Sequence, residues 1–526
     1  MKEKLQAPDF NRANGVQMAE NPLPSGDLKK LDKELKNISR FEDAVQEISR
    51  GNLKFGICIL FLVMVGFFAF TQVADASNQV FIVLAGLLGA YMALNIGAND
   101  VANNIGPAVG SKALTMTGAL IIAAVFEAAG AIIAGGDVVS TVRKGIVDPA
   151  AMESGVMFIH AMMAALFAAA LWVNLATFIG APVSTTHSVV GGVMGAGIAA
   201  TGLGAVNWAT MGKIAASWVI SPVMGGVIAA AFLALIKFQI LFKEDKVTAA
   251  KKWVPVLVGF MAGAFAMYLT MKGLKKLWKP SGEVVILIGL VFFVSTWVIV
   301  KPVVAKAAEK IENRRRAVSD LFTIPLIFSA ALLSFAHGAN DVANAVGPLA
   351  AVVGVASGAD MTGKVGLPMW ILVVGALGIA AGLLLFGPKL VRTVGEKITK
   401  LDRARAYCVA LSAAITVIIA SALGLPVSST HIAVGGVFGV GFFREFLSNK
   451  KKRERLEKVL PEAGETGSDK GRGEALERLT KKQEKSRRRK LVRRQHLTTI
   501  VAAWLITVPL SALLAAILYW VMSTLM

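Results

Sequence analysis

Gly97-Ala98-Asn99-Asp100-Val101-Ala102-Asn103 recurs without a change as Gly338-Ala339-Asn340-Asp341-Val342-Ala343-Asn344, and a Gly-Pro pair follows each copy, Gly106-Pro107 and Gly347-Pro348. A second block, PVSTTHSVVGGVMG from Pro182 to Gly195, matches PVSSTHIAVGGVFG from Pro426 to Gly439 at 10 of 14 positions. The offsets are 338 − 97 = 241 and 426 − 182 = 244. Two blocks in the same order at nearly one offset mark a duplicated half.

Both copies lie in apolar sequence. The 526 residues are 55% hydrophobic with a mean hydropathy of +0.63, above the roughly 45–50% apolar content of soluble domains. Charged residues, 17% of the chain, fall in blocks between apolar runs of about 20 residues, enough to cross a ~30 Å hydrocarbon core. The chain reads as thirteen membrane segments: 55–74, 80–110, 117–136, 154–180, 182–203, 212–238, 253–271, 283–304, 321–353, 366–386, 406–424, 426–443 and 498–523. Segments two to six are then equivalent to nine to thirteen. A shift of seven segments, an odd number, inserts the second copy from the opposite side. The expected fold is an all-α polytopic membrane protein of about 12–13 transmembrane helices, with two inverted-topology repeats and broken or re-entrant helices. In secondary transporters that architecture puts the substrate where the repeats meet.

This reading divides the chain into a cytoplasmic N-terminal tail (1–54), an extra first segment (55–79), the first repeat (80–238), a connecting region with two membrane helices (239–320) and the second repeat (321–523), which a basic loop at 444–497 interrupts. In the tail, Leu28, Leu31, Leu35, Ile38, Val45 and Ile48 recur near heptad spacing among charges, the pattern of an amphipathic helix. The first apolar run starts near Phe55, too far in for a cleaved signal peptide, and reads as a retained anchor. Pro461 to Gly473 reads as a flexible linker. Cys58 and Cys408 sit far apart in apolar runs and read as packing residues rather than a disulfide. The net charge of +21 concentrates in loops, with 19 Lys/Arg against 9 Asp/Glu in 444–497. That is the signature of cytoplasmic loops rather than of nucleic-acid binding, and it places the N-terminus inside. The loop carrying Lys272, Lys275, Lys276 and Lys279 departs from the rule, because it would face outward.

An Asp or Asn in hydrocarbon is costly unless it faces a partner or a polar cavity. Asn99, Asp100, Asn103 and Asn104 cluster within one apolar segment, and their three- and four-residue spacings put them on one helical face. Gly106-Pro107 predicts a broken helix there, freeing carbonyl oxygens for a cation. In the second block Pro182 or Pro426 suits a first helical turn, followed by Ser/Thr hydroxyls beside unpaired N–H groups. A helix N-terminus carries roughly half a positive charge and binds anions, so two such ends can clamp one tetrahedral anion. A divalent anion exceeds the charge of two helix ends, so cations must travel with it. Asp100 and Asp341 are the natural ligands, with Asn103 and Asn344 as neutral oxygen donors. His187, His431 and His337 lie in or beside the motifs and read either as proton relays or as hydrogen-bonded structural residues. Glu127 is an intramembrane acid whose matching region, Gly378-Ile379-Ala380, has none, so its role cannot be symmetric.

These residues resemble the inorganic phosphate transporter family, whose hallmark is a duplicated GANDVAN motif followed by Pro-[Val/Ile]-Ser-x-Thr-His. The likeness extends to Phe126-Glu127-Ala128 and Thr141-Val142-Arg143-Lys144-Gly145-Ile146 and covers about residues 80–523. It implies a cation-coupled phosphate symporter of the plasma or bacterial inner membrane. Na⁺ or H⁺ would be the driving ion, and a divalent metal could be carried as a metal–phosphate complex. By the same likeness Asn99, Asn340, Ser184, Thr185, Thr186, Ser428, Ser429 and Thr430 serve phosphate, and Asp100, Asn103, Asp341 and Asn344 serve the cation. The implied partners are phosphate, the coupling cation and the bilayer, with a homo-oligomer allowed and no nucleic acid. No resident cofactor or metal is expected.

A passive anion channel has little use for paired intramembrane Asp residues, and an enzyme would need a nucleophile or metal-ligand spacing that the sequence does not display. Sulfate is the closest rival cargo, but hydrogen phosphate carries a proton it can donate to a carboxylate. The charge asymmetry predicts that cysteine labels in the 444–497 loop react only from the cytoplasm and that a label near Thr524 reacts from outside. Reversed labelling would overturn this orientation while leaving the inverted repeat intact.

Overall fold

In the computed structural model of the chain, the described residues are 51–72, 78–181, 183–273, 280–359, 367–395, 401–465 and 494–525. The amphipathic tail, Pro182, Lys275, Lys276, Lys279 and most of the 444–497 loop lie outside them. The chain divides into two units, 1–61 and 62–526. In the first, residues 51–61 are helical and belong to α1, Gly51–Thr71. The described residues of the second are mainly helical, and among them β-pairing is limited to one isolated bridge, Val147 to Val206. Apolar segments in lipid have no water for their backbone groups, so each satisfies its N–H and C=O groups internally as a helix.

The first repeat comprises α2 (Gln79–Asn99), α3 (Ala102–Gly110), α4 (Met116–Ala134), α5 (Gly136–Lys144), α6 (Gly155–Ile179), α7 (Thr185–Thr201) and α8 (Trp208–Ile236). The connecting region forms α9 (Lys246–Lys272), α10 (Gly282–Ala308) and the short α11 (Arg315–Asp320). The second repeat comprises α12 (Thr323–Ala356), α13 (Met369–Thr393), α14 (Arg403–Ala422), α15 (Ser429–Glu465) and α16 (Arg494–Leu525). Eleven helical stretches among the described residues are long and apolar enough to span a bilayer. Eleven of the thirteen segments read from sequence coincide with these. The other two are α7 and the start of α15, the pair that carries the Ser/Thr motifs. At 17 residues α7 is about 25 Å long, short of a full hydrocarbon core.

Equivalent helices exchange partners between the repeats. Helix α2 packs along α13 while its counterpart α12 packs along α4, and α7 packs along α16 while α15 packs along α8. Glycines set these contacts at backbone distance. A Cβ on Gly97 would lie 1.9 Å from the Ile379 carbonyl oxygen, and one on Gly338 would lie 2.1 Å from that of Glu127. Likewise Gly195 would meet the Ala512 carbonyl oxygen at 2.1 Å and Gly439 that of Gly226 at 2.0 Å. The Gly191-x-x-x-Gly195 and Gly435-x-x-x-Gly439 spacings thus form close-approach surfaces. With Gly97 equivalent to Gly338, these pairs fix an equivalence that sequence leaves faint, Glu127 with Ile379, an offset of 379 − 127 = 252. Gly89 of α2 faces Leu349 of α12, whereas Asp100 lies near Asp341. The two helices therefore run antiparallel, as an inverted repeat requires.

Three local expectations are corrected. The interruption predicted at Gly106-Pro107 lies at Asp100-Val101, where the amides of Asn103 and Asn104 bond back three residues to the Asp100 and Val101 carbonyls, each at 3.0 Å. Asn103 Nδ2 also donates to the Asp100 carbonyl at 3.1 Å and stabilises this tight turn. Pro107 sits inside α3, and α12 runs unbroken through Pro348, because a packed bundle tolerates the missing donor. Pro426 is not in the first turn of a helix: α15 begins at Ser429, and the Ser428 hydroxyl caps it by accepting from the His431 amide at 3.3 Å. Finally, α15 continues through Pro461 to Glu465, where the linker was expected to begin.

The carbonyl contact at Gly439 predicts that Gly439→Ala forces α15 from α8 and lowers stability by about 1–3 kcal/mol, the usual effect of overpacking. Gly212→Ala, on an exposed turn of α8 with nothing within 4 Å, should be neutral or stabilising by up to about 1 kcal/mol through helix propensity. Thermal unfolding of the two purified variants in one detergent checks the difference in sign.

Candidate transport site

The two Ser/Thr motifs are helix N-termini. Ser184 Oγ accepts from the His187 amide at 3.1 Å, capping α7 as Ser428 caps α15. Asn99 and Asn340 hold the chain entering each helix. Asn99 Nδ2 donates to Thr177 Oγ1 (2.9 Å) and the Ala181 carbonyl (3.2 Å), and its oxygen accepts from the Val183 amide (3.1 Å). Asn340 Nδ2 donates to the equivalents, Ser421 Oγ (2.9 Å) and the Leu425 carbonyl (3.3 Å). The Nδ2 groups of both residues, read from sequence as phosphate contacts, here position the helix ends.

Both N-termini converge on the acidic motif. Thr185 Oγ1 of α7 donates to Asp100 Oδ2 at 2.6 Å, and Thr430 Oγ1 of α15 donates to Asp100 Oδ1 at 3.0 Å. The Asn amides cross between repeats: Asn103 Nδ2 donates to Thr430 Oγ1 at 2.8 Å, and Asn344 Nδ2 to Thr186 Oγ1 at 3.1 Å. Thr186 in turn donates to the Val427 carbonyl at 3.1 Å. Ser429 Oγ lies 3.5 Å from Asp341 Oδ2, the outer limit of a hydrogen bond. Each of these side chains is at most 3% exposed.

Around Asp341 the symmetry ends. His337, one turn earlier on α12, puts Nε2 3.0 Å from Asp341 Oδ2 and Nδ1 2.6 Å from Glu127 Oε2, while Glu127 Oε1 accepts from Asn104 Nδ2 at 2.8 Å. The Nδ1 contact with Glu127 is a hydrogen bond, whereas Nε2 lies at ion-pair distance from Asp341 without hydrogen-bond geometry. The equivalents of Asn104, Glu127 and His337 are Ala345, Ile379 and Ile96. One half thus carries a polar row where the other carries apolar packing. Sequence reading had Glu127 and its lack of a counterpart, and it had His337. It missed Asn104 as their partner, although the change from Asn104 to Ala345 next to an otherwise identical motif was the available signal.

Carboxylate oxygens of Asp100 and Asp341 and a His337 ring nitrogen all lie within 4.8 Å of one another, entirely buried. The side-chain oxygens Oδ1 of Asn340, Asp341 and Asn344, spaced along one face of α12, accept no hydrogen bond from the described residues. Hard oxygen donors around a carboxylate are ligand chemistry for a small cation. The depression beside Asn103, lined also by Pro107, Leu401 and Val434, has a volume of about 20 Å³, room for roughly one water. His187 and His431 meet each other instead of the acids, with ring centroids 4.7 Å apart and Trp218 3.8 Å from His187.

The sequence profile of the phosphate transporter family matches residues 96–515. A protein of Helicobacter pylori strain J99 named "Putative phosphate permease" is 48% identical over 525 residues, covering 92% of this chain and 98% of that one. A protein of the same description from Pyrococcus abyssi is 39% identical, covering 69% and 89%. A solved structure titled "The sodium-dependent phosphate transporter" superposes with a TM-score of 0.72 at 35% identity, covering 85% of this chain and all of the other. The inverted helical repeat, the paired acidic motifs and these matches agree, and the chain belongs to the phosphate transporter family.

Proposed function

We propose that the protein is a phosphate symporter in which Asp100 and Asp341, with Asn103 and Asn344, hold the coupling cation, and the N-termini of α7 and α15 receive the anion through Ser184, Thr185, Thr186, Ser428, Ser429 and Thr430. The observation that carries this reading is the buried pair of carboxylates within 4.8 Å of each other. Such a pair repels a bare anion and accepts it only with cations. Na⁺ is favoured over H⁺ as the coupling ion by the unpartnered oxygens on α12 and by the sodium dependence named for the structural relative. The Glu127–His337 contact is the one feature that favours H⁺. In the present conformation the hydroxyls of Thr185 and Thr430 point at Asp100. Phosphate binding therefore requires them to exchange a carboxylate for the anion, and the N-termini to separate. That separation is the step that alternating access needs, across a plasma or bacterial inner membrane.

In proteoliposomes, an imposed Na⁺ gradient should drive accumulation of radiolabelled phosphate above equilibrium, with arsenate competing well and sulfate poorly. Accumulation driven by a pH gradient alone would assign the coupling to H⁺. Mere equilibration under either gradient would leave a channel.

Asp100→Asn and Asp341→Asn keep shape and hydrogen bonding but remove one charge each, so each should lower coupled uptake per inserted molecule by about two orders of magnitude, equivalent to roughly 3 kcal/mol. Glu127→Gln should weaken uptake as well, while its apolar counterpart Ile379→Val should not. Na⁺-dependent thermal stabilisation, measured alongside, separates a lost ligand from a lost fold. Wild-type uptake in both Asp variants would remove the site.

A further inference from the structure

Helices α9 and α10 lie between the two repeats in sequence and have no counterpart in the duplication. Helix α10 packs along α9, and Leu287, Val291, Val298 and Ile299 of α10 are each more than half exposed. The hairpin does not close fully on the bundle. Between it and the C-terminal end of α14 runs an apolar cavity of about 580 Å³, walled by Phe260, Met267 and Tyr268 of α9, Leu290 and Phe293 of α10, and Ile418 of α14. Its width is built in, because Gly263 brings α9 to backbone distance of Gly289 on α10, where a Cβ would lie 2.7 Å from the carbonyl oxygen. Met271 and Ala422 line one end, and the next residue, Lys272, donates from Nζ to the Ala422 carbonyl at 3.2 Å. An ammonium group is thus anchored where the apolar slot ends.

We propose that this cavity is a lipid site, which holds an acyl chain of an anionic phospholipid whose headgroup phosphate pairs with Lys272. An apolar cavity of this size on a membrane face is not filled by water. What covers it is the surrounding amphiphile, and a slot with a cation beside its lining is complementary to one with an anion at one end of its chains. Lys272 also opens the one basic loop that the cytoplasmic-charge rule leaves unexplained. A headgroup on that side of the bilayer accounts for its charge independently of orientation. Tyr268, on the cavity wall, stacks edge-on against Phe335 of α12, two residues from His337, with ring centroids 6.3 Å apart. The lipid therefore bears on the helix that carries Asp341.

The test uses the full chain in detergent, titrated with phosphatidylglycerol or with phosphatidylcholine of the same acyl chains, read by native mass spectrometry and thermal shift. Wild type should retain phosphatidylglycerol at least tenfold more tightly than phosphatidylcholine. Lys272→Gln should abolish that preference and Lys272→Arg should keep it. Ala264→Phe, which fills the slot, should weaken both lipids. Inorganic phosphate added at millimolar concentration should not displace the lipid, and displacement would mean that Lys272 serves free phosphate instead. Equal retention by wild type and Ala264→Phe, no anionic preference, or a dimer that forms without lipid and is broken by Ala264→Phe would each overturn the proposal.

Discussion

Two buried carboxylates, one from each half of the chain, are held within 4.8 Å of each other, and the rest of the structure is arranged around that repulsion. At an effective dielectric of about 20, two such charges repel by roughly 3.5 kcal/mol, before either is charged for leaving water. Gly97 lies against the Ile379 carbonyl and Gly338 against that of Glu127, so the segments that carry Asp100 and Asp341 are locked to their neighbours at backbone contact. The charge must be met where it stands. Two hydroxyls meet it at Asp100 and an imidazole meets it at Asp341. What remains is the negative charge that a transported cation would balance.

The two halves answer the same problem differently, and that difference is where duplication has been put to use. Asn104, Glu127 and His337 form a row on one side, and Ala345, Ile379 and Ile96 stand on the other. All three members changed together, as buried polar groups must: a Glu without His337, or a His without Glu127, would be an uncompensated group in hydrocarbon. An inverted repeat with identical halves would present the same site to both faces of the membrane. Here the carboxylate of the first repeat accepts from neutral hydroxyls and that of the second lies beside a His–Glu pair, so the two halves surround their carboxylates differently.

Much of this was legible in the sequence, for a physical reason. Asn and Asp in an apolar segment are expensive, and their recurrence in Gly97–Asn103 and Gly338–Asn344 exposed both the duplication and the acidic site. The Ser/Thr motifs were legible as helix starts because Ser184 and Ser428 stand at N-cap positions. The position of the helix break was not legible. Gly106-Pro107 is a strong local signal, but the Asn103 amide and tertiary packing moved the interruption to Asp100-Val101 and let α12 pass its own proline. The duties of Asn99 and Asn340 were hidden for a similar reason. Their partners Thr177, Ala181, Ser421 and Leu425 lie about 80 residues away and carry no motif of their own. The exchange of α7 and α15 between repeats rests on glycine contacts whose register sequence alone does not align.

In the proposed symporter that exchange ties the anion site to the cation site mechanically. Helix α7 belongs to the first repeat but packs on α16 of the second, and α15 does the reverse on α8. Thr430 of α15 reaches Asp100 of the first repeat, and Asn344 of α12 reaches Thr186 of α7. Neither helix end can shift without disturbing a hydrogen bond to the opposite half. An anion that draws Thr185 and Thr430 away from Asp100 strips that carboxylate of its donors and raises its demand for a cation. A cation that satisfies Asp100 releases the hydroxyls for the anion. Each ligand removes an obstacle to the other, which is the positive coupling that linkage requires of a symporter. In the proposed symporter this coupling needs three side chains, Asp100, Thr185 and Thr430, and no long-range path.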